Sequence, residues 1–359
     1  MQILFYVAYP YYYPHFLPIG NYFSKMGHDV KYILSKKQNS KNMQTIAEKN
    51  SLNYSFDLEN LLKKDIDVVF FANNSELFSK ITALKVLLEH GIGTKFLESF
   101  YSAIKNIDIY LIEGNYQYKK MLERYPQYQS KLTPVGFSKF DEIINFQESE
   151  KEILFQKYNL DKNKKTILYA PTFFPSSIEK MKDDFPAEFL DCNILIKPHY
   201  LTYERKKYKN QLKKFSKWQK YENCILLPLD EYNLVPFLAI SDIMISDESS
   251  AMFEFAALNK PVISNQYFKL RWSYYLMPWK LSKRIDKSKD FYRNILDNAY
   301  NYTETIFYTK EALTNPKKLE SKRLKFSQDL CGEIDGKVSE RIYNAITKKL
   351  SSEGLSNEL

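Results

Sequence analysis

The chain has 359 residues, and because a single hydrophobic core stops growing near ~250 residues, two domains of comparable size are expected. With 44% apolar residues, 9 glycines and 14 prolines, the composition predicts a globular protein and excludes a long disordered or low-complexity region. Lysine and arginine (52) outnumber aspartate and glutamate (43), and the net charge of +9 favours phosphates or an anionic membrane surface as partners.

The N-terminal segment MQILFYVAYPYYYPHF reaches Pro10 before the apolar region of a signal peptide could form. No later segment approaches the ~18 uninterrupted apolar residues of a membrane span. We therefore expect a cytoplasmic protein that contacts the inner face of the cell membrane peripherally. Recognition-helix, zinc-finger and RNA-binding motifs are lacking, so nucleic acid is not expected as a partner. Aromatic residues, 16% of the chain, are spread along it and are interpreted mostly as core and surface residues.

Short apolar runs alternate with amphipathic segments of helix length in the first half, a pattern typical of repeated β-α units on a parallel sheet. The helix at 16–25 should be closed by Gly27 as its C-cap. Strands are predicted at residues 3–8, 30–34, 68–72, 85–89, 109–112 and 132–135.

The polar, acidic stretch FDEIINFQESEKE at 140–152 is the best candidate for a domain boundary. Beyond it the alternation restarts, with a strongly basic helix near 203–221, and after Lys280 strand signals largely disappear. Strands are predicted at residues 166–170, 194–197, 224–227, 243–246 and 262–264.

The fold class that follows is α/β, with two Rossmann-like, doubly wound domains facing a cleft and with C-terminal helices. We predict an N-terminal domain at 1–145, a second domain at 146–335, and a C-terminal helix at 336–359 that crosses back to the first domain. Ligands of such sheets bind at the carboxyl ends of the strands. Functional residues should therefore be sought at strand ends.

The segment LLEHGIGTK places His90 at the end of a predicted strand, followed by Gly91 and Gly93. The glycines allow a substrate to approach the backbone closely, and a neutral imidazole can take a proton from an attacking hydroxyl near neutral pH. His90 is therefore a candidate general base. A structural histidine in a tight turn is the simpler interpretation of this pair taken alone.

Two further strand ends carry polar groups. In ILIKPHY, Lys197 and His199 form a candidate phosphate clamp, with Pro198 stiffening the exit from the strand. In TILYAPTF, Pro171 and Thr172 direct backbone and hydroxyl groups into the same cleft. Strand-ending Lys-Pro pairs are common, and a plain turn would also explain the second segment.

The segment IMISDESSAMFEFAALNKPVI is the most informative in the chain, because a buried strand leads directly into a helix. Ser249 or Ser250 can cap that helix, whose N-terminus would then attract an anion, and Glu254 one turn later could bind ribose hydroxyls. In the alternative interpretation the serines are only a cap and Glu254 is only a solvated carboxylate. The candidate phosphate-binding residues here are Ser246, Asp247, Ser249 and Ser250.

Other polar residues receive no functional role. Asp65 and Asp67 match the DxD pattern of metal-dependent sugar transferases, but they precede an apolar strand instead of following one. His15 and His28 have no clustered partners. The widely spaced cysteines Cys192, Cys224 and Cys331 fit neither a metal site nor a disulfide framework.

The motifs HGIGTK, YAPTF, KPH and SDESS, in this order, resemble those of the CDP-glycerol glycerophosphotransferase family, the teichoic-acid primases and polymerases. The segment VGFSKFDEI is similar to the family's inter-domain pattern G-x-x-K-x-D, here Gly136, Lys139 and Asp141. The resemblance covers about residues 85–263.

The resemblance implies a GT-B fold, an acceptor-side N-terminal domain at 1–145, a CDP-alcohol donor held mainly by the C-terminal domain at 146–335, and neither a metal nor another cofactor. It implies that His90 is the base, that Lys197, His199, Ser249 and Ser250 hold the donor phosphates, and that His199 is also catalytic through stabilisation of the transition state. The family commonly has HGTPLK in place of HGIGTK, Tyr in place of Glu248 and Asp in place of Glu254. The last two differences alter contacts to the ribose or the alcohol, so glycerol, ribitol and other alcohols stay open.

The expected reaction is attack by an acceptor hydroxyl on the donor phosphate that bears the alcohol, with release of CMP. The expected acceptor is a lipid-linked or polymeric glycan of the bacterial surface, in teichoic-acid or capsule synthesis. One alternative is a GT-B glycosyltransferase that uses a nucleotide sugar. Another is a membrane-associated assembly component that keeps the fold for binding alone.

Overall fold

The computed structural model describes residues 1–36, 40–63, 65–88, 91–92, 103–247, 249–270, 272, 274 and 292–356. The chain forms two compact units. The first consists of Met1–Asn145 together with Gln328–Leu359, and the second consists of Phe146–Ser327.

Two parallel sheets organise the described residues. The strands of the first unit are β1 (Gln2–Val7), β2 (Asp29–Leu34), β3 (Tyr54–Ser55), β4 (Val68–Phe71), β5 (Leu84–Leu87), β6 (Ile109–Ile112) and β7 (Leu132–Pro134). Those of the second unit are β8 (Lys165–Tyr169), β9 (Cys192–Ile196), β10 (Cys224–Leu226), β11 (Ile243–Ser246), β12 (Val262–Asn265) and β13 (Asp297–Ala299).

Helices follow most of these strands. In the first half they are α1 (Tyr13–Lys25), α2 (Ser40–Lys49), α3 (Asn115–Arg124), α4 (Lys139–Ile144) and α5 (Glu148–Lys157). They continue with α6 (Tyr200–Glu204), α7 (Lys209–Trp218), α8 (Val235–Ile240), α9 (Ala251–Ala257), α10 (Tyr302–Thr314), α11 (Glu320–Cys331) and α12 (Val338–Ser356).

Both sheets have the strand order of a doubly wound fold. The first sheet runs β3-β2-β1-β4-β5-β6-β7, and the second runs β10-β9-β8-β11-β12-β13. The order reverses between β1 and β4 in the first sheet and between β8 and β11 in the second, and such reversals are where α/β sheets bind ligands. The predicted fold class of two parallel-sheet α/β domains with C-terminal helices is therefore confirmed.

The central strands are apolar on both faces, as expected for sheets covered by helices on each side. Every residue of β4, β6 and β11 is buried. Aromatic side chains fill the core around β1, where the rings of Phe5 and Phe70 stack with centroids 4.6 Å apart. The predicted strands correspond to observed ones, with ends that agree to within two residues.

Two strands were not predicted, and both lie at sheet edges. Among the strands that the structure describes, β3 pairs with β2 alone and β13 pairs with β12 alone. They are short and carry polar residues, so they lack the apolar run that marks a central strand. Strand β13 lies beyond Lys280, where strand signals were expected largely to disappear, and helices follow it. The predicted basic helix at 203–221 is also divided, into α6 and α7.

Helix α1 ends as predicted, with Gly27 in the left-handed region at φ +82°. The amide of His28 donates to the carbonyl of Phe23 at 3.1 Å, and that of Gly27 donates to Ser24 at 3.0 Å. This pair of hydrogen bonds is a Schellman motif, which satisfies carbonyls that the helix end would otherwise leave unpaired. The chain then turns directly into β2.

Helix α12 packs on α1 within the first unit. The ring of Tyr343 lies edge-on to Phe23, with centroids 5.3 Å apart. The carboxylate of Asp141, which is buried, accepts hydrogen bonds from the amides of Val338 and Ser339 at 2.9 and 2.7 Å. Asp141 therefore caps the N-terminus of α12 from outside the helix.

Candidate functional site

The predicted phosphate-binding residues lie at the carboxyl ends of three neighbouring strands of the second sheet, β9, β8 and β11. The backbone connects these ends closely. The amide of Lys197 donates to the carbonyl of Tyr169 at 2.8 Å, and the amide of His199 donates to that of Pro171 at 3.3 Å. The segments that follow β8 and β9 therefore form one continuous rim beside the reversal of strand order.

Asp247 is the centre of the hydrogen bonding at this rim, and its side chain is fully buried. Its Oδ1 accepts a hydrogen bond from the amide of Thr172 at 2.6 Å. Its Oδ2 accepts from the hydroxyl of Ser176 at 2.8 Å and from the amide of Ser177 at 3.1 Å. Both carboxylate oxygens thus hold the segment that follows β8, an internal role that the sequence did not indicate.

Ser246 is also engaged within the protein. It is fully buried, and its hydroxyl donates to the carbonyl of Ala170 at 2.7 Å. Together with Asp247 it fastens the end of β11 to the end of β8. These two residues were predicted as direct phosphate ligands, and their geometry is that of supports for the rim.

The two serines before α9 differ in their contacts. The hydroxyl of Ser249 accepts a hydrogen bond from the amide of Ala251 at 3.3 Å, so Ser249 is the residue that caps the helix. Ser250 is exposed, and its side chain makes no capping bond. Of the two candidates for the cap, Ser249 therefore has that contact, and the Ser250 hydroxyl faces outward.

Glu254 lies on α9 and is only 4% exposed. The alternative in which it is merely a solvated carboxylate is therefore wrong. Its neighbours on the helix, Phe253 and Phe255, are buried as well. A carboxylate is costly to bury, so it is expected to have a specific partner in the folded protein.

His199 is held in a defined orientation. Its Nδ1 accepts a hydrogen bond from the amide of Leu201 at 3.2 Å, which caps α6. Its ring packs against Phe173, with centroids 4.8 Å apart, and stacks on Tyr200 at 4.6 Å. Because Nδ1 accepts, the neutral ring carries its proton on Nε2, which makes that atom a hydrogen-bond donor.

The charge states at this rim follow from burial. Burial lowers the pKa of His199 to about 4, and the nearby cations Lys197 and Arg205 contribute to the same shift, so the imidazole is neutral at physiological pH. Burial also lowers the pKa of Lys197 to about 8, and Glu231 partly offsets this effect. Among the described residues the Lys197 ammonium makes neither a hydrogen bond nor an ion pair. A cation held in this way favours an anionic ligand.

Thr172 and Pro171 complete the rim. Pro171 is buried and supplies the carbonyl that His199 uses, whereas Thr172 is partly exposed and its amide is held by Asp247. The next carbonyl, that of Phe173, accepts from Gln211 on α7 at 3.1 Å. The segment is thus fixed from both sides. Sequence reasoning missed its two supports, Ser176 and Ser177, whose only signal was a pair of serines after Pro175.

The predicted residues of the first unit are described only in part. His90 and Gly93 lie outside the described residues. Gly91 is buried and follows β5, which neighbours β4 in the sheet. The DxD pair is at the opposite edge, because Asp67 precedes β4 and its carboxylate accepts from the amide of Gln2 at the start of β1.

The remaining observations concern cysteines and membrane spans. Cys192, Cys224 and Cys331 are buried, and they form no disulfide within the described part of the chain. Within the part of the chain that the structure describes, no helix is long and apolar enough to cross a membrane.

Two doubly wound parallel sheets in one chain, each with its own reversal of strand order, are the architecture of the GT-B fold. Residues 82–348, about three quarters of the chain, match the family of CDP-glycerol:poly(glycerophosphate) glycerophosphotransferases. The chain belongs to this family. The family predicted from the motifs is therefore confirmed.

Similar proteins agree with this assignment. The chain is 26% identical over 259 residues to a teichoic acid ribitol-phosphate primase of Bacillus spizizenii, an alignment that covers 69% of this chain and 61% of the primase. It spans less than two thirds of the length of the curated relatives that it matches.

Solved structures show the same fold. The wall teichoic acid polymerase TagF is 18% identical, with a TM-score of 0.64, and the match covers 98% of this chain and 90% of that one. The MnaA-UDP co-structure from S. aureus is 14% identical, with a TM-score of 0.66, and covers 98% and 97% of the two chains.

Proposed function

We propose that this protein transfers glycerol phosphate, or a related polyol phosphate, from a CDP-alcohol to a hydroxyl of a surface-polymer acceptor and releases CMP. Family membership supports the reaction class. The observation that carries the proposal is the pairing of Lys197 with His199 at the end of β9, beside the reversal of strand order in the second sheet.

The donor diphosphate fits this rim by charge and by hydrogen bonding. Lys197 offers a positive charge, and the Nε2–H of His199 offers a directed donor that stays neutral at physiological pH. Neutral donors and a single cation can hold a diphosphate and stabilise charge that develops as the bond to CMP breaks. The partly exposed Thr172 hydroxyl and the outward Ser250 hydroxyl are the further ligands that we assign to the donor.

The reaction forms one phosphorus–oxygen bond and breaks another. The acceptor oxygen attacks the phosphorus that bears the alcohol, and the bond from that phosphorus to the bridging oxygen breaks. The electron pair stays on that oxygen, which leaves as part of CMP. The proton of the attacking hydroxyl goes to His90, which we assign as the general base from its motif.

Other residues would act indirectly. Ser246 and Asp247 hold the segment after β8, so they would position Thr172 without touching the donor.

We assign Glu254, which is buried on α9, to the ribose or alcohol end of the donor. Relatives named for ribitol phosphate and for glycerol phosphate both match this chain, so the alcohol is left open between these two.

The test is an assay of purified protein with CDP-glycerol, CDP-ribitol and a panel of nucleotide sugars, each with a membrane-derived acceptor. We expect CMP from a CDP-alcohol and no nucleoside diphosphate from the sugars. His90→Ala should lower turnover by roughly 100-fold to 10,000-fold and leave donor affinity unchanged, since a positioned base contributes about that much. Release of a nucleoside diphosphate instead of CMP would establish the glycosyltransferase alternative.

We also propose peripheral binding to anionic membranes. The exposed lysines of the second unit around α7, Lys206, Lys207, Lys209 and Lys213, provide a basic surface. Each such lysine near an anionic bilayer contributes about 1 kcal/mol at low salt. The protein should therefore sediment with anionic liposomes at low salt and much less at high salt. A fourfold alanine variant that sediments as well as the parent protein would contradict this assignment.

A further inference from the structure

The reversal of strand order in the first sheet carries an aromatic surface that the proposed function does not use. Strand β1 ends at Val7, and the chain continues through Tyr9, Pro10 and Tyr11. Its neighbour across the reversal, β4, ends at Phe71 and is followed by Asn73 and Asn74. In a doubly wound sheet this position is the usual place for a ligand.

Two tyrosine rings form a flat pair at this position. Tyr9 and Tyr11 stack with centroids 5.2 Å apart and an interplanar angle of 11°. Their side chains are 36% and 44% exposed, respectively. The pair therefore presents an apolar surface at a place where parallel sheets bind substrates.

A third ring packs beneath the pair. Tyr12 is 1% exposed and lies edge-on to both rings, at 5.7 Å from Tyr9 and 5.0 Å from Tyr11. Tyr12 in turn packs on the buried ring of Phe16 in α1, at 5.9 Å. A short 3-10 turn over Pro10–Tyr12 fixes the backbone, so a ligand would meet a surface that is already ordered.

The polar groups beside the rings are amides. Asn73 and Asn74 are exposed, and the backbone N–H of Asn74 donates to the side-chain oxygen of Asn73 at 2.8 Å. Burial raises the pKa of Tyr12, Tyr11 raises it further, and Asn73 lowers it, so Asn73 lies next to the tyrosine cluster. The side chains at this surface, Tyr9, Tyr11, Asn73 and Asn74, are all uncharged.

We propose that Tyr9 and Tyr11 form a platform for a sugar ring of the acceptor, with Asn73 and Asn74 as partners for its hydroxyls. A pyranose has a face of C–H groups that suits the electron-rich face of an aromatic ring, and its hydroxyls suit amides. An uncharged platform fits a neutral ring better than it fits a phosphate. This inference rests on the proposed function, because it names the acceptor class of that same transferase.

The test measures sugar binding directly, without the donor. Binding of octyl N-acetyl-β-D-glucosaminide and octyl β-D-glucoside to the full chain is followed by saturation-transfer NMR, and tetraethylene glycol monooctyl ether serves as the sugar-free control. We expect the glycosides to bind through their rings. Tyr9→Ala and Tyr11→Ala should each weaken this binding by about 10-fold or more, the loss expected for one aromatic stacking partner.

Two variants serve as controls. Tyr11→Phe keeps the ring and should bind the glycosides nearly as well as the parent protein. Tyr300→Ala removes a tyrosine of the second unit that is 67% exposed, and it should change nothing. The variants alter exposed side chains, and thermal unfolding will show that they stay folded.

Three results would overturn the platform. They are equal binding of the glycosides and the sugar-free control, unchanged glycoside binding in both alanine variants, and a loss of CDP affinity in those variants, which would make the rings a nucleotide site. Failure of the proposed function is distinguishable from these results. It would appear as absence of CMP release from every CDP-alcohol and would leave glycoside binding unaffected.

Discussion

The carboxylate of Asp247 and the hydroxyl of Ser176 lie 2.8 Å apart, both fully or almost fully buried, although they are distant in the sequence. The bond joins the end of β11 to the segment that follows β8. With the bond from the amide of Thr172 to the same carboxylate, it fixes the shape of the rim that we assign to the donor. The chemistry at the rim therefore depends on a residue that needs no contact with the donor.

Asp247→Asn should lower both stability and activity. An asparagine keeps one oxygen acceptor, but its amide N–H groups would face donors where the aspartate accepts. Hydrogen bonds to a buried charge contribute about 1.5–3 kcal/mol each, so the loss should be about 2 kcal/mol or more in the free energy of unfolding. Urea unfolding measures this free energy. The control is Asp230→Asn, at an exposed aspartate, which should change the free energy of unfolding by less than about 0.5 kcal/mol.

The roles of the two ring nitrogens of His199 can be tested separately by two substitutions. An asparagine would place an oxygen near the position of Nδ1 and keep the cap on Leu201, whereas a glutamine reaches toward the position of Nε2. We therefore expect His199→Asn to be as stable as the parent protein but to bind CDP-glycerol about 10-fold to 100-fold more weakly, the loss expected for a hydrogen bond to a charged group. His199→Gln should bind the donor better than His199→Asn and be less stable. Calorimetry measures the affinity for CDP-glycerol, and thermal unfolding measures the stability. Tighter donor binding by His199→Asn than by His199→Gln would disprove the assignment of Nε2 as the donor contact.

Lys197 predicts how donor binding depends on pH. Burial lowers its pKa to about 8 from an ordinary value of 10.5, so the ammonium is charged below pH 8 and loses its proton above it. The affinity for CDP-glycerol, whose phosphates do not titrate in this range, should therefore be constant near neutral pH and fall above pH 8. Lys197→Arg should remove that fall, because arginine stays charged. An unchanged pH profile in Lys197→Arg would show that another group titrates.

The same depressed pKa affects stability with the opposite pH preference. The folded protein binds fewer protons at Lys197 than the unfolded chain does between pH about 8 and 10.5, so this residue favours folding more as pH rises through that window. This gain is lost as pH falls from 10.5 to 8, and below pH 8 burial of the charged ammonium disfavours folding by its full amount. Donor binding and folding therefore make opposite demands on one side chain, and Lys197→Met should stabilise the protein near neutral pH while it weakens donor binding.

Asp141→Asn should destabilise the first unit. Asp141 accepts from the amide and the hydroxyl of Ser339, each at 2.7 Å, and from the amide of Val338. Loss of this cap should cost about 2–3 kcal/mol and raise hydrogen exchange in α12. Glu340→Gln, at an exposed residue in the first turn of the same helix, should cost less than about 1 kcal/mol. Equal losses of unfolding free energy in Asp141→Asn and Glu340→Gln would contradict the assignment of Asp141 as the cap of α12.

The sequence predicted the fold well because the central strands are largely apolar. Runs such as VVFF in β4 and IMIS in β11 are buried along their whole length, as expected for strands in the interior of a covered sheet. The edge strands β3 and β13 were missed for the same reason, since they are short and polar. Their pairing depends on the neighbouring strand and leaves little trace in their own residues.

The sequence predicted where the candidate site lies, but it did not predict which residues hold the backbone of the rim in place. Lys197, His199 and Thr172 follow strands, and their position could be read from the chain. That Asp247 would hold Ser176 depends on how two strands far apart in sequence pair, which periodicity does not reveal. The tyrosines after β1 were interpreted as ordinary core and surface residues, because spacing alone cannot show that Tyr9 and Tyr11 stack.

The first unit is built from both ends of the sequence, whereas the second is one continuous segment. During synthesis all of Phe146–Ser327 is therefore made before helix α12. Until α12 has been made, Asp141 lacks the amides of Val338 and Ser339 that it caps. The unit whose first residues are encoded first therefore cannot be completed until after the whole of the other unit has been synthesised.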